Sequence, residues 1–267
     1  MAKLGENDSE NRLTIGNQYV RGSGFEIGAG AAPSHYEAIT ELTFIDKRDL
    51  SELETLFGGK VPYQVIDLET AQSRTKSSPA DFVIAHHVLE HTPNPIHTLI
   101  EWFSLLRAGG RFFLSIPSDS SIWEAERIPT PIEHIVDDFL FERNGDDYES
   151  KGHVLSFIDQ WTAVDPDSVW YAKDDVGQFV AVSLSELQRS EHDLHWHTYT
   201  APVARMTIEA AFYFAGAAME WLCVEEGAGS IYLVGAKGET VAKHEIATPA
   251  FLRAHREALQ RVAARIG

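Results

Sequence analysis

The sequence predicts an α/β fold, a doubly wound and mostly parallel sheet that carries an insertion. Three observations predict it. Short apolar runs alternate with helical stretches, the pattern of parallel strands joined by crossover helices. The first run ends in a glycine turn. Successive runs end in carboxylates, and the carboxyl ends of the strands are where such sheets bind ligands.

The first run, Gly24-Phe25-Glu26-Ile27, leads into Gly28-Ala29-Gly30-Ala31-Ala32-Pro33. Glycines at 28 and 30 let the backbone turn sharply and approach a ligand with no Cβ in the way. A dinucleotide-binding fingerprint would want a third glycine where Pro33 stands. The second run, Leu42 to Ile45, ends in Asp46. Its spacing from the loop suits an acid that binds ribose hydroxyls. The third, Tyr63 to Ile66, ends in Asp67, and the fourth, Asp81 to Ala85, precedes His86, His87, Glu90 and His91. Pro93 and Pro95 suit the first turn of a helix. That helix presents Ile96, Leu99, Ile100, Phe103 and Leu106 at helical spacing and is expected to end at Gly109-Gly110. The fifth run is Arg111 to Pro117. Any one acid could be a helix cap; three at consecutive strand ends favour a nucleotide-containing cofactor.

The remaining segments divide the chain. Residues 1–21 are polar and expected as a loose N-terminal arm. Residues 22–118 and 199–238 form the core. Residues 119–198, rich in Asp, Glu, Ser, Trp and His, break the rhythm and are expected as a substrate-binding lid. A helix over about 203–215 returns to the core. Met219–Glu225 and Ser230–Val234 predict a closing antiparallel hairpin. Residues 239–267 hold a C-terminal helix with Leu252, Leu259, Val262 and Ile266 on one side, suited to the core or to a second subunit of a homodimer.

Composition excludes some partners. A formal charge of -18 over 267 residues argues against nucleic acid and against anionic membranes. Local positive charge at Arg127 or Lys47-Arg48 could still bind an anionic group. The single Cys223 excludes an internal disulfide and fits a reducing cytoplasm. Its apolar surroundings predict an inert buried thiol. The N-terminus lacks an apolar signal core and no run is long enough to span a bilayer, so a cytoplasmic protein is expected.

The order Glu-x-Gly-x-Gly, two strand-end aspartates and the stretch Asp81 to Ser118 resembles class I S-adenosylmethionine-dependent methyltransferases. It is most similar to bacterial enzymes of glycan and natural-product tailoring. The resemblance covers residues 22–118. It extends more weakly to Trp123–Phe139 and to Leu194–Thr200, where Glu124, Tyr199 and, within the core, His86 depart from the usual pattern. It implies an enzyme with a seven-stranded sheet, S-adenosylmethionine as cofactor and a small-molecule or glycan acceptor. By the same resemblance Glu26, Gly28 and Gly30 face the methionine and ribose, Asp46 holds the ribose hydroxyls, and Asp67 with the backbone at Leu68 meets the adenine. Ala85, His86 and His87 would line the pocket beside the sulfonium.

A hydroxyl nucleophile benefits from a base, and histidine suits that role. His197 is the first candidate, with His195 and His134 behind it. Trp123, Trp196, Tyr199 and Arg127 are the substrate-binding candidates. His195 and His197, two apart, would share one side of a strand. They would form a pair near the substrate or two ligands of a metal with Asp137, Asp138 or Asp193. Nothing in the sequence fixes the further ligands, so no metal is assigned. Glu90 and His91 are expected to cap the turn after the fourth strand. An N-methyltransferase, a NAD-dependent oxidoreductase and a non-catalytic binding protein are the alternatives. Pro33 and the closing hairpin count against the oxidoreductase, and the intact loop and acids against the binding protein.

Overall fold

Strand β4 (Ala80–His86) is apolar at nearly every position because both faces of the sheet are covered, as in parallel sheets generally. Phe82 and Ile84 pack on one side with Ile15, Tyr36 and Phe113. Val83 and Ala85 alternate to the other side with Leu99, Phe112 and Phe212. Each fully buried Phe or Ile contributes about 1.5–3 kcal/mol. The computed structural model describes residues 4–5, 7–59, 61–121, 124, 127–143, 171–173, 179–181, 195–240 and 247–266.

The other strands are β1 (Gly22–Ile27), β2 (Ile39–Ile45), β3 (Val65–Ile66), β5 (Leu106–Pro117), β6 (Tyr171–Lys173), β7 (Phe179–Ala181), β8 (Ala217–Gly227) and β9 (Ser230–Thr240). Seven form one sheet in the order β3-β2-β1-β4-β5-β9-β8. Strands β1 to β5 pair in parallel. Strand β9 runs antiparallel to β5 and to β8. The expected doubly wound sheet with one antiparallel closing strand is present. Within the insertion, β6 and β7 pair as a separate antiparallel ribbon.

The helices are α1 (Asp8–Tyr19), α2 (Leu50–Leu56), α3 (Leu68–Thr75), α4 (Pro95–Ser104), α5 (Ile132–Leu140), α6 (Ala201–Ala215) and α7 (Ala250–Ile266), with a 3-10 turn at Leu89–His91. Asp49 caps α2 reciprocally with Glu52. Thr200 caps α6, and Gly216 ends it in the left-handed region at φ 69°. Among the described residues no helix is long and apolar enough to cross a membrane.

Three expectations change. The loose arm is in its described part a helix, α1, capped by Asn7 and packed on the sheet. Beside the apolar contact of Ile15, part of its buried face is polar, which hid it: buried Asn11 donates to the Tyr232 hydroxyl at 3.2 Å, and that hydroxyl donates to Asp8 at 2.8 Å. Helix α4 stops at Ser104, and Leu106 already belongs to β5. Gly109-Gly110 is instead a bend inside that strand, with Gly109 at φ 75° and Gly110 tight against the Ala80 carbonyl. In α7 Leu252 is buried, while the side chains of Leu259, Val262 and Ile266 lie outside the described residues. Cys223 is buried, and burial pushes its thiol up to about 11.

Candidate active site

The ends of β1, β2 and β4 open onto a cavity of about 410 Å³. The glycine loop forms one wall. Gly28 and Gly30 sit at φ 64° and 58°, a region that L-residues with a Cβ avoid. A Cβ on Gly28 would stand 2.8 Å from Val88 Cγ2, and one on Gly30 would stand 3.2 Å from the Phe57 ring. The Gly28 amide donates to the Ile45 carbonyl at 2.9 Å, which ties the loop to β2. Asp46 and Asp67 line the cavity, as do Lys47, Arg48 and Leu68.

The two aspartates differ. Asp67 caps α3: its carboxylate accepts from the Thr70 amide at 2.7 Å and from the Thr70 hydroxyl at 3.1 Å. Those hydrogen bonds hold it below its usual range. Asp46 caps no helix. One of its oxygens accepts from the Arg48 amide at 3.0 Å.

His87 also lines the cavity. It adopts φ 54°, uncommon for a residue with a side chain and frequent at functional sites. Its Nε2 lies 3.1 Å from the Ser230 hydroxyl.

Three expected cofactor contacts fall elsewhere. Glu26 is buried behind the loop, where it accepts from the Ser34 amide at 2.8 Å and the Ser34 hydroxyl at 2.7 Å. Burial raises its pKa, and the Ser34 bonds only partly offset this. It braces the loop and is not on the cavity wall. Ala85 is core. His86 points to the opposite face, between the Tyr36 hydroxyl at 2.8 Å and the Ser115 hydroxyl at 3.0 Å. Burial drives its pKa well down, so its imidazole is neutral. The two-residue period of β4 sends His86 and His87 to different environments.

His195 and His197 also separate. His195 Nδ1 hydrogen-bonds Glu124, and its ring meets His91 edge-on with centroids 4.7 Å apart. His91 lines the cavity. It belongs to the turn expected to be only a cap, and Glu90 is buried beside it. Glu124, a departure in the sequence, is a hub. It also accepts from Arg127 at 2.8 Å and from the Thr198 hydroxyl at 2.7 Å. Burial would raise its pKa, but the bond from His195 and the charge of Arg127 outweigh it and leave the carboxyl lowered.

His197 joins the other group. Its Nε2 lies 2.9 Å from Asp138 Oδ2, and His134 Nε2 lies 3.3 Å from the same oxygen. The His197 side chain is 2% exposed. Burial lowers its pKa, with Asp138 acting in the opposite direction.

The substrate candidates fare unevenly. Arg127 is buried in its ion pair with Glu124 and donates to the His195 carbonyl at 3.1 Å; it braces the segment. Tyr199 is fully buried at an isolated bridge to Ser118. Trp196 is half-buried, and its amide donates to the Glu90 carbonyl at 2.7 Å. Trp123 and Asp193 lie outside the described residues. Sequence reasoning missed His91 as a wall residue and Glu124 as a hub. The available signal for His91 was its place in the turn that follows the end of β4.

A family model described as a methyltransferase domain matches residues 18–167, more than half of the chain. The chain belongs to that family and is an enzyme of the methyltransferase class. No curated protein matches it. Among solved structures it is similar to a methyltransferase from Clostridium acetobutylicum described as S-adenosylmethionine-dependent, at 13% identity over 87% of this chain and 90% of that one, TM-score 0.43. It is similar to the CurJ carbon methyltransferase at 18% identity over 82% of this chain, TM-score 0.39, and spans 49% of that chain. A third is the N-terminal domain of EvdMO1, solved in the presence of SAH and D-fucose, at 14% identity, 87% and 82% coverage and TM-score 0.38. Similarity at this level carries no information on substrate.

Proposed function

We propose that this enzyme binds S-adenosylmethionine across the ends of β1, β2 and β4 and O-methylates a sugar, glycan or small natural product. The observation that carries the reading is the cavity itself. Its Cβ-free turn at Gly28 and Gly30 and its strand-end Asp46 form one side. His91 also lines the cavity, in ring contact with His195. The cofactor supplies an electrophilic methyl group. Asp46 offers a carboxylate for two hydroxyls, and Leu68 an apolar surface for a base. The insertion, residues 119–198, supplies the acceptor side.

His195 takes the role of base in place of His197, which is buried against Asp138. Glu124 at Nδ1 makes Nε2 the basic nitrogen of the neutral ring, the arrangement that lets a carboxylate fix a histidine tautomer. Calorimetric titration with S-adenosylhomocysteine and with NAD tests the cofactor. Binding of the first alone is expected; binding of NAD alone would replace the reading with a dehydrogenase. Transfer of a labelled methyl group to a panel of hydroxylated sugars and phenols then tests the acceptor class.

A further inference from the structure

The histidine pair that the sequence left without further ligands gains them in the fold, on His197 alone. Helix α5 places His134 and Asp138 one turn apart, on the same face. The segment entering α6 brings His197 against them from 59 residues away. Three potential ligand atoms converge: His134 Nε2, His197 Nε2 and a carboxylate oxygen of Asp138. Both nitrogens address the same oxygen, at 3.3 and 2.9 Å, and all three atoms lie within 4.8 Å of one another.

The two nitrogen–oxygen separations are close to those of a coordination sphere. Ligand atoms about 2.0–2.1 Å from a tetrahedral ion stand roughly 3.3 Å apart. The donors are two imidazoles and one carboxylate, which suits zinc and its neighbours in the first transition row. Calcium and magnesium prefer oxygen alone. The supporting bonds are in place. Asn94 donates to the Asp138 carbonyl at 3.0 Å, and Arg143 approaches the second Asp138 oxygen at 3.6 Å. The Thr198 amide donates to the Thr130 hydroxyl at 3.1 Å, and the Thr130 amide donates to the Thr198 carbonyl at 2.9 Å. These bonds hold both sides of the cluster before any ion arrives, the kind of outer support that metal ligands have. Asp138 and His197 side chains are 3% and 2% exposed, whereas His134 is 25% exposed. The cluster is therefore buried at Asp138 and His197 and reaches solvent at His134.

We infer that His134, Asp138 and His197 form a binding site for a divalent transition-metal ion of the zinc class, clasping α5 of the insertion to the segment before α6. The second cluster, Glu90, His91 and His195, is looser. Its Glu90–His91 approach is 3.9 Å, against 2.9 and 3.3 Å for the two histidines on Asp138.

The test uses the full chain, stripped with a chelator and titrated with Co²⁺, whose visible d–d bands report coordination, and then with Zn²⁺ in competition. One equivalent of Co²⁺ is expected, displaced by Zn²⁺, with a rise in Tm on Zn²⁺ addition. His134→Gln, at the most exposed of the three positions and with circular dichroism as the check on its fold, should weaken Co²⁺ binding about 100-fold, the upper end of what loss of a supporting group alone costs. Asp138→Asn should do the same, with circular dichroism as the check on its fold. His91→Gln should bind as the parent does. Absence of d–d bands with excess Co²⁺, or unchanged binding in His134→Gln, would overturn the site and leave a hydrogen-bonded buried cluster. Loss of binding in His91→Gln alone would move the metal to the other cluster. None of these readouts depends on methyl transfer.

Discussion

Gly28→Ala tests the cavity wall with the smallest possible addition. Residue 28 sits at φ 64°, and the left-handed region costs an L-residue roughly 1–2 kcal/mol. The new Cβ would lie 2.8 Å from Val88 Cγ2 and 3.2 Å from Cγ1. No real Cβ holds the first distance, so the Val88 side chain must turn, at about 0.5–1.5 kcal/mol if it leaves its rotamer. The two parts sum to roughly 1.5–3.5 kcal/mol. For a chain of this size each kcal/mol lowers Tm by about 2–4 °C, so a fall of several degrees is expected. Val88 is itself on the cavity wall, so affinity for S-adenosylhomocysteine should fall as well. A double-mutant cycle with Val88→Ala separates the contributions. Trimming Val88 removes the steric part and leaves the backbone part. Scanning calorimetry and calorimetric titration read both quantities. A Gly28→Ala variant with parental Tm and parental affinity would refute the reasoning, because neither the turn nor the close approach would then be required. Complete recovery of stability in the double variant would show that φ at residue 28 carries no strain.

Asp46→Ala should weaken S-adenosylhomocysteine by the worth of hydrogen bonds to a charged group, about 1.5–3 kcal/mol; unchanged affinity by titration would place the ribose elsewhere. His195→Gln should slow methyl transfer by about 10²–10⁴-fold while leaving cofactor affinity in place, and His197→Gln should not reproduce that split; equal rates in His195→Gln and the parent would leave proximity as the only catalysis. Glu124 has a lowered pKa in the folded chain, so its contribution to stability is present above the ordinary glutamate pKa, about 4.3, and is lost as pH falls through the lowered value. Denaturant titrations of Glu124→Gln should therefore show a flatter acid limb than the parent's; parallel limbs would mean that the carboxyl titrates alike folded and unfolded.

The parallel strands were legible in the sequence most clearly at β4 and the second half of β5, which are buried on both faces and so appear as apolar runs. The glycine turn and the strand-end place of Asp46 were legible because they follow from backbone conformation and strand ends, which are local properties. Asp67 was legible only as an ambiguity: a strand-end acid and a helix cap share one position, and the hydrogen bonds from Thr70 show the cap is made. Helix α1 escaped because its buried face is built from Asn11, Ile15 and Gly16, and a polar residue satisfied by a distant tyrosine has no periodicity to read.

The histidines divide the two levels most sharply. Spacing alone puts His195 and His197 on one side of a strand, but residues 195–198 are irregular, and only Tyr199 bridges Ser118. Each ring then takes the carboxylate that the fold brings to it, Glu124 from 71 positions away and Asp138 from 59. Local periodicity determines which residues leave water and which elements they form. The tertiary structure decides which polar group meets which, since a buried imidazole or carboxylate must find its partner wherever chain packing places one.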